Sequence, residues 1–254
     1  MPLSEALHEA PGSLGTVRNA VLLLQLLGEG PAYQQLTDLA ERSGLSLPTV
    51  HRLLRSLVLA DLVEQDPRSS RYGLGPELAR LANRYLARLP VAGALAPYLA
   101  QLRDETGATV RIDLLVHGSA VVVDRVDGPT VGLYREPHGA HPALLGAGGR
   151  LLVARADDEM WKQALADVDD ELAILAEGQR ETWAAAATLV LSAGATGLVE
   201  VAVVVPGGLG GAGPTGSAAL VLELPGDPDR HAVETATAAL VRAATAAVRT
   251  LGQG

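Results

Sequence analysis

The 254-residue chain contains no cysteine, which excludes a disulfide scaffold, a thiol nucleophile and a cysteine-held zinc. Phenylalanine is also absent and lysine occurs once, at Lys162, whereas alanine, glycine and arginine abound. That bias points to a GC-rich coding sequence more than to a function. The start, Met1-Pro2-Leu3-Ser4-Glu5-Ala6, lacks the basic residues and apolar run of a secretory signal. No apolar run is long and clean enough to span a bilayer. The nearest, around Leu198 to Pro206, is short and carries Glu200. A cytoplasmic protein with no membrane partner is expected. Ser192, Ser217 and the histidines show no nucleophile motif, and the length allows two modest domains, each able to bury a core.

A net charge of −9 does not suit a polyanion binder until it is divided along the chain. Residues 1–89 hold nine arginines and nine acids and are neutral. Within Ser46 to Arg88, seven arginines face four acids, and the whole excess of negative charge lies beyond residue 89. A local basic footprint is what phosphate binding requires, and an acidic second domain can face away from the duplex.

The basic region surrounds a two-helix pattern. Leu36, Leu39 and Ala40 sit at helical spacing, with Thr37 expected to cap the start and Gly44 to end the helix. Ser46 is expected to cap a second helix that tolerates Pro48 in its first turn. There Val50, Leu53, Leu54 and Leu57 form a buried stripe, leaving Pro48, Thr49, His51, Arg52, Arg55 and Ser56 for the other side. Helix, glycine turn and polar-faced helix form the helix-turn-helix plan, whose second helix enters the major groove. An ordinary core helix pair with solvated arginines is the plainer alternative.

Residues 1–15 read as a flexible arm. Thr16 is expected to cap a backing helix with Val17, Ala20, Val21, Leu24 and Leu27 on one face. Leu62 to Asp66 and Arg71 to Leu74 alternate as strands around the turn Pro67-Arg68-Ser69-Ser70, a wing whose tip can reach backbone or minor groove. Pro76 to Leu89 reads as a linker and dimer-forming helix ended by Pro90. From Val91 an α+β domain follows. Its expected helices are Ala94–Glu105, Leu144–Ala154, Asp157–Leu175, Gln179–Ala187 and Asp229–Leu251. Its expected strands are Thr109–Val116, Ser119–Val126, Gly132–Glu136, Thr196–Val205 and Ser217–Leu224. This gives an arm at 1–15, a winged helix-turn-helix at 16–75, a linker helix at 76–90 and a second domain at 91–254.

Two further patterns compete for a site. Gly208-Leu209-Gly210-Gly211-Ala212-Gly213 satisfies G-x-G-x-x-G, but a strand follows where a dinucleotide site needs a helix, so a hairpin loop is expected and no cofactor. Glu136, His138 and His141 could approach a metal, but histidines in a Pro/Gly loop are more often simply exposed, so none is expected.

Leu39-Ala40, Gly44-Leu45, Thr49-Val50-His51-Arg52-Leu53-Leu54, Leu57 and Tyr72-Gly73-Leu74-Gly75 fall in the order and spacing of the IclR family of bacterial transcriptional regulators, which the chain resembles over nearly its whole length. Asn19-Ala20-Val21 stands for the usual Arg-Ala-Leu, with Arg18 one place earlier. The resemblance implies a winged helix-turn-helix, a linker helix and a GAF-like effector-binding domain, assembled as a homodimer or dimer of dimers on palindromic or pseudo-palindromic operator DNA. The DNA-contacting candidates are Arg18, Ser46, Pro48, Thr49, His51, Arg52, Arg55, Arg68, Ser69, Ser70 and Arg71. His141 to Ala154 matches the loop and helix start that cradle a small carboxylate in relatives, which makes His141, Leu144, Leu145, Gly146, Ala147 and Gly148 effector-site candidates.

The resemblance also implies that the positions of Glu200 and Glu223 line the effector cavity, and strand alternation puts Ala202 on the face of Glu200 and Val221 on that of Glu223, which adds all four to the effector-site candidates. Glu200 stands where relatives often have cysteine, and Glu223 where serine is common. Either they are solvated strand charges, or they face inward and repel small organic acids. The inward reading expects a cationic or polyhydroxylated effector, or none. The expected function is a DNA-binding regulator without catalysis, a repressor by default because a dimer on an operator blocks access. The alternatives are a regulator whose second domain is ligand-free and serves oligomerisation, and an enzyme tethered by a DNA-binding module.

Overall fold

The computed structural model describes residues 13–129, 139–193, 198–206, 217–224 and 226–252. The chain divides into two compact units, Met1–Tyr85 and Leu86–Gly254.

The first unit packs α1 (Ser13–Glu29), α2 (Leu36–Ser43) and α3 (Leu47–Leu59) against a hairpin of β1 (Val63–Gln65) and β2 (Tyr72–Leu74). Leu23, Leu39, Val50 and Leu54 are wholly buried at its centre, each contributing about 1.5–3 kcal/mol by leaving water. Val50, Leu53, Leu54 and Leu57 form the expected stripe. Gly44 closes α2 at φ 67°, left-handed backbone that costs a side-chain-bearing residue roughly 1–2 kcal/mol. Gln34 is buried; its amide donates to the carbonyls of Leu26 and Leu27 and accepts from Arg42, tying the end of α1 to α2.

Three expectations for this unit are corrected. Helix α1 starts at Ser13 rather than at a Thr16 cap, and its buried face carries Leu23, Leu26 and Leu27 while Val17 and Val21 are exposed. That helix is apolar nearly all round, so periodicity alone could not choose its face. Thr37 lies inside the first turn of α2, its hydroxyl on Asp38, and Gln35 holds the cap position without a side-chain bond. Ser46 does occupy the cap position of α3, but its hydroxyl pairs with that of Thr49 at 2.8 Å instead of a backbone N–H.

Helix α4 (Glu77–Leu86) leaves Leu81 and Tyr85 exposed. Pro90 opens α5 (Pro90–Thr106) rather than closing the preceding helix, because a first-turn proline forfeits no helical hydrogen bond. The second unit is built on a six-stranded antiparallel sheet, in the order β5-β4-β3-β8-β7-β6. Its strands are β3 (Thr109–Val116), β4 (Ser119–Val126), β5 (Ala140–Pro142), β6 (Thr188–Ala193), β7 (Leu198–Val205) and β8 (Ala218–Leu224). Alternation sorts the faces: Val110, Ile112, Leu114, Val201, Val203, Leu220 and Leu222 pack beneath α5 and α9 (Arg230–Leu251). The opposite face carries Ala202, Ala219 and Val221, covered by α6 (Ala147–Ala154). Helices α7 (Asp158–Ala166) and α8 (Asp170–Ala185) enclose a satellite core around Trp161 and Trp183.

The hairpin of β3 and β4 turns at His117-Gly118 as expected. The expected Leu144 helix resolves into a 3-10 turn (Ala143–Leu145) and then α6. Asp169 caps α8, dividing the expected run from Asp157 to Leu175. Strand β6 was not expected, and it forms the edge beside β7. The expected strand Gly132–Glu136, the glycine run 208–213, the arm 1–12 and residues 196–197 lie outside the described residues.

Candidate functional site

Two groups of polar side chains stand out, one in each unit. In the first, α3 presents Pro48, His51, Arg52, Arg55 and Ser56 to solvent, with Thr49 half-buried. The stripe that buries Val50, Leu53 and Leu54 forces these residues outward. Among the described residues, Arg18, Arg52, Arg55, Arg68 and Arg71 form no salt bridge. Their guanidinium groups are left for a partner. The wing turn is organised by Asp66, whose carboxylate accepts from the backbone N–H groups of Arg68 and Ser69, both at 3.1 Å, and from the Ser69 hydroxyl. That hydroxyl bond, followed by the Arg68 N–H, holds the Asp66 carboxyl below its ordinary range. The Ser69 hydroxyl is thus engaged inside the turn, and Ser70 sits at φ 57°. Arg68 and Arg71 flank this hydrogen-bonded turn, both exposed. A cleft between wing and α2 is lined by Ser69, Ser70 and Arg71 on one side and Gln35, Leu36 and Thr37 on the other. The last three begin a helix, where free N–H groups favour an anion, and none is among the DNA-contacting candidates read from sequence.

The second group lies under α6. Glu200 and Glu223 stand directly opposite each other on β7 and β8, a pairing of like charges that is unfavourable by itself. Arg111, on the same face of β3 and only 3% exposed, resolves it. Its Nη2 donates to Glu200 Oε1 at 2.8 Å, its Nη1 to Glu223 Oε1, and its Nε to both oxygens of wholly buried Asp113 at 3.0 and 3.1 Å. Glu223 Oε2 also accepts from Arg125 at 3.3 Å, and Glu200 Oε2 from the backbone N–H of Ala147 at 2.6 Å. Burial pulls the Arg111 guanidinium toward the neutral form, but Asp113, Glu200 and Glu223 together outweigh it and raise its pKa. Burial pushes the Asp113 carboxyl up more than Arg111 draws it down.

Of the two expectations for Glu200 and Glu223, solvated strand charges or inward-facing groups, the structure shows the second, and it adds a cationic partner, Arg111, between them. Both face inward and both are paired. Sequence reading missed Arg111, Asp113 and Arg125, although charges two residues apart in the otherwise apolar strand Val110-Arg111-Ile112-Asp113-Leu114 signalled a shared polar face. Of the other effector candidates, His141 and Gly146 border the cluster. A Cβ on Gly146 would lie 3.0 Å from His141 Nε2 and 3.2 Å from Glu200 Oε2. Gly148 lets α6 press onto the sheet, since a Cβ there would meet Val221 at 2.6 Å. Ala147, Ala202 and Val221 share one core. Leu144 lies apart in the core with Trp161 and Trp183, and Leu145 is 54% exposed, so neither faces the cluster. Arg150 stacks 5.0 Å from the Trp183 ring and donates to the Leu144 carbonyl at 2.7 Å, fixing the loop that enters α6. Among the described residues no group of three or more metal-ligating side chains forms a site, while Glu136 and His138 lie outside them. No described helix is long and apolar enough to cross a membrane.

The architecture is a three-helix winged module followed by an α+β domain with helices on both faces of an antiparallel sheet. Residues 16–67 match the family model for the IclR helix-turn-helix domain. Over 143 residues, 56% of each chain, the sequence is 31% identical to the glycerol operon regulatory protein of Streptomyces griseus. The alignments span about half the length of the curated relatives that the chain matches. Among solved structures, an IclR family transcriptional regulator from Brucella abortus shares the fold with a TM-score of 0.80 over 98% of this chain and 99% of that one, at 17% identity. An IclR homologue complexed with 4-hydroxybenzoate, from Microbacterium hydrocarbonoxydans, does so with a TM-score of 0.67 over 94% and 100%, at 19% identity. Residues 16–67 thus carry an IclR-type helix-turn-helix domain, and the chain shares the fold of IclR regulators along nearly its whole length.

Proposed function

We propose that the protein is a sequence-specific DNA-binding transcriptional regulator, without catalysis of its own, whose operator affinity is modulated by a small molecule. The observation that carries this reading is the exposed arginine set of α3 and the wing, Arg52, Arg55, Arg68 and Arg71, which forms no salt bridge among the described residues and is displayed by one compact unit. Arg52 and Thr49 lie toward the N-terminal half of α3, the part that meets base edges when such a helix enters the major groove. The wing arginines suit phosphate or minor groove, and the cleft beside the start of α2 suits a further phosphate.

In this reading residues 16–75 recognise DNA, 76–90 link, and 91–254 sense and assemble. Exposed Leu81 and Tyr85 on α4 supply an apolar seam for a second copy, which supports a homodimer, or a dimer of dimers, on a palindromic operator. Repression is the default outcome of such occupancy, and the site of action is the cytoplasm. The ligand seen on the Microbacterium hydrocarbonoxydans protein supports a sensing role for the second domain.

Genome-wide mapping of bound DNA, followed by titration of the enriched sequence at fixed salt, tests the reading. A palindromic motif bound far more tightly than random duplex is expected, and equal weak affinity for all sequences would overturn it. A second reading, a regulator whose second domain takes no external ligand, is favoured by the closed ion-pair network around Arg111. Thermal shifts across a panel of small molecules separate the two.

A further inference from the structure

The carboxylate of Glu200 is held as a bound anion would be. One oxygen takes the backbone N–H of Ala147, the first residue of α6, at 2.6 Å, and the other takes the guanidinium of buried Arg111 at 2.8 Å. Both donors are oriented by elements other than β7, which carries the glutamate, and both favour negative charge, one through the helix dipole and one through formal charge. Close packing surrounds the start of α6. The Gly146 position is closed in by His141 Nε2, Glu200 Oε2 and Arg111, and the Gly148 position by Val221 and Asp113. Glu200 nevertheless keeps 16% of its side-chain surface exposed, so the position communicates with solvent.

We propose that Glu200 is the built-in ligand of a monocarboxylate site formed by Arg111 and the start of α6, and that the wild-type protein is thereby self-ligated and closed to small carboxylic acids. The exclusion comes from occupancy and not from charge repulsion, because Arg111 already compensates the carboxylates facing it. An external acid must compete with a group fixed to the same chain, whose effective concentration is on the order of millimolar or higher. The proposal rests on the reading of the second domain as a sensing domain, but its test involves no DNA, so it can fail while DNA binding stands, and the reverse.

The test is calorimetry and thermal denaturation of the full chain with acetate, formate and propionate. Glu200→Ala removes a CH2 group and the carboxylate, the outline of acetate. That variant should bind acetate saturably, at least about tenfold more tightly than wild type, and its melting temperature should rise with acetate. Glu200→Gln fills the same space and keeps an oxygen for Ala147, so it should bind no better than wild type. If Glu200→Ala does not fold alone, restoration of its fold by acetate supports the proposal and failure of restoration overturns it. A folded Glu200→Ala protein that ignores all three acids overturns it, as does wild-type protein that binds acetate as tightly as the variant.

Discussion

In the first unit Arg52, Arg55, Arg68 and Arg71 stand in solvent, and no carboxylate of the described residues reaches them. In the second unit Arg111 is buried and held by Asp113, Glu200 and Glu223. The same side chain is thus kept available in one unit and consumed in the other. What decides is whether the fold brings a carboxylate to it. On α3 the positions one turn from Arg52 and Arg55 carry no carboxylate, and in the wing Asp66 is drawn into its own turn by Ser69 and the Arg68 N–H. On the sheet, alternation aims residues of three strands at a single point beneath α6. An arginine free of internal partners can be read as an interface, and one with three partners has to be read as structure.

The largest effect that can break this contrast is at Arg111. Replacing it with methionine keeps bulk but leaves three carboxylates facing one another, and removing one side of a buried ion pair costs about 3–5 kcal/mol. Urea denaturation should show a loss of that size, whereas a loss below about 1 kcal/mol, the worth of an exposed pair, would mean the network is not coupled.

Arg52 should behave in the opposite way. Arg52→Ala should leave the denaturation midpoint unchanged and weaken operator binding by about 1–3 kcal/mol if the guanidinium pairs with a guanine. Unchanged operator affinity, titrated at fixed salt, would remove Arg52 from the interface. The wing pair comes next in size. Arg68 and Arg71 replaced together by alanine should weaken binding to all sequences and lower the salt slope by about 0.9 for each phosphate that is no longer neutralised. Lost discrimination between sequences with an unaltered slope would assign the wing to base reading.

The first unit was legible because its signals are local. Gly44, the cap position of Ser46, the stripe Val50, Leu53, Leu54 and Leu57, and the wing turn each lie within a few residues of what they determine. Where local pattern was ambiguous the reading slipped, as with Val17 and Val21 on α1, where leucines surround the helix. The grouping of side chains on β7 and β8 was legible as well, since alternation alone put Glu200 with Ala202 and Glu223 with Val221, but whether that face turned inward was left open. What they meet there was not legible. Arg111 precedes Glu200 by 89 residues and Glu223 by 112, and only the pairing of β3 with β8 and of β8 with β7 brings them together. Strand β6 escaped for a related reason. It follows the alanine-rich end of α8 without a glycine or proline between, so no break marks its start.

The smallest expected effect is a dependence on pH, and it tests whether burial or pairing governs the cluster. The Asp113 carboxyl is raised above its ordinary value because burial outweighs the attraction of Arg111. A folded state that holds this proton more tightly than the unfolded chain gains stability that is fully present below the unfolded value, about 3.9. That gain is lost as pH rises through the folded value. Asp113→Asn keeps an oxygen that can accept from Arg111 Nε and has no proton to lose. The stability of the variant relative to wild type should therefore increase as pH rises from below about 3.9 toward neutrality, whatever its absolute level. Denaturant midpoints of both proteins across that range supply the comparison. Parallel curves would mean that Arg111 cancels the burial of Asp113, and a variant that loses ground as pH rises would mean that pairing wins. In either case Asp113 would join Glu200 and Glu223 as an ordinary ion-pair partner, and the cluster would be bound by attraction alone.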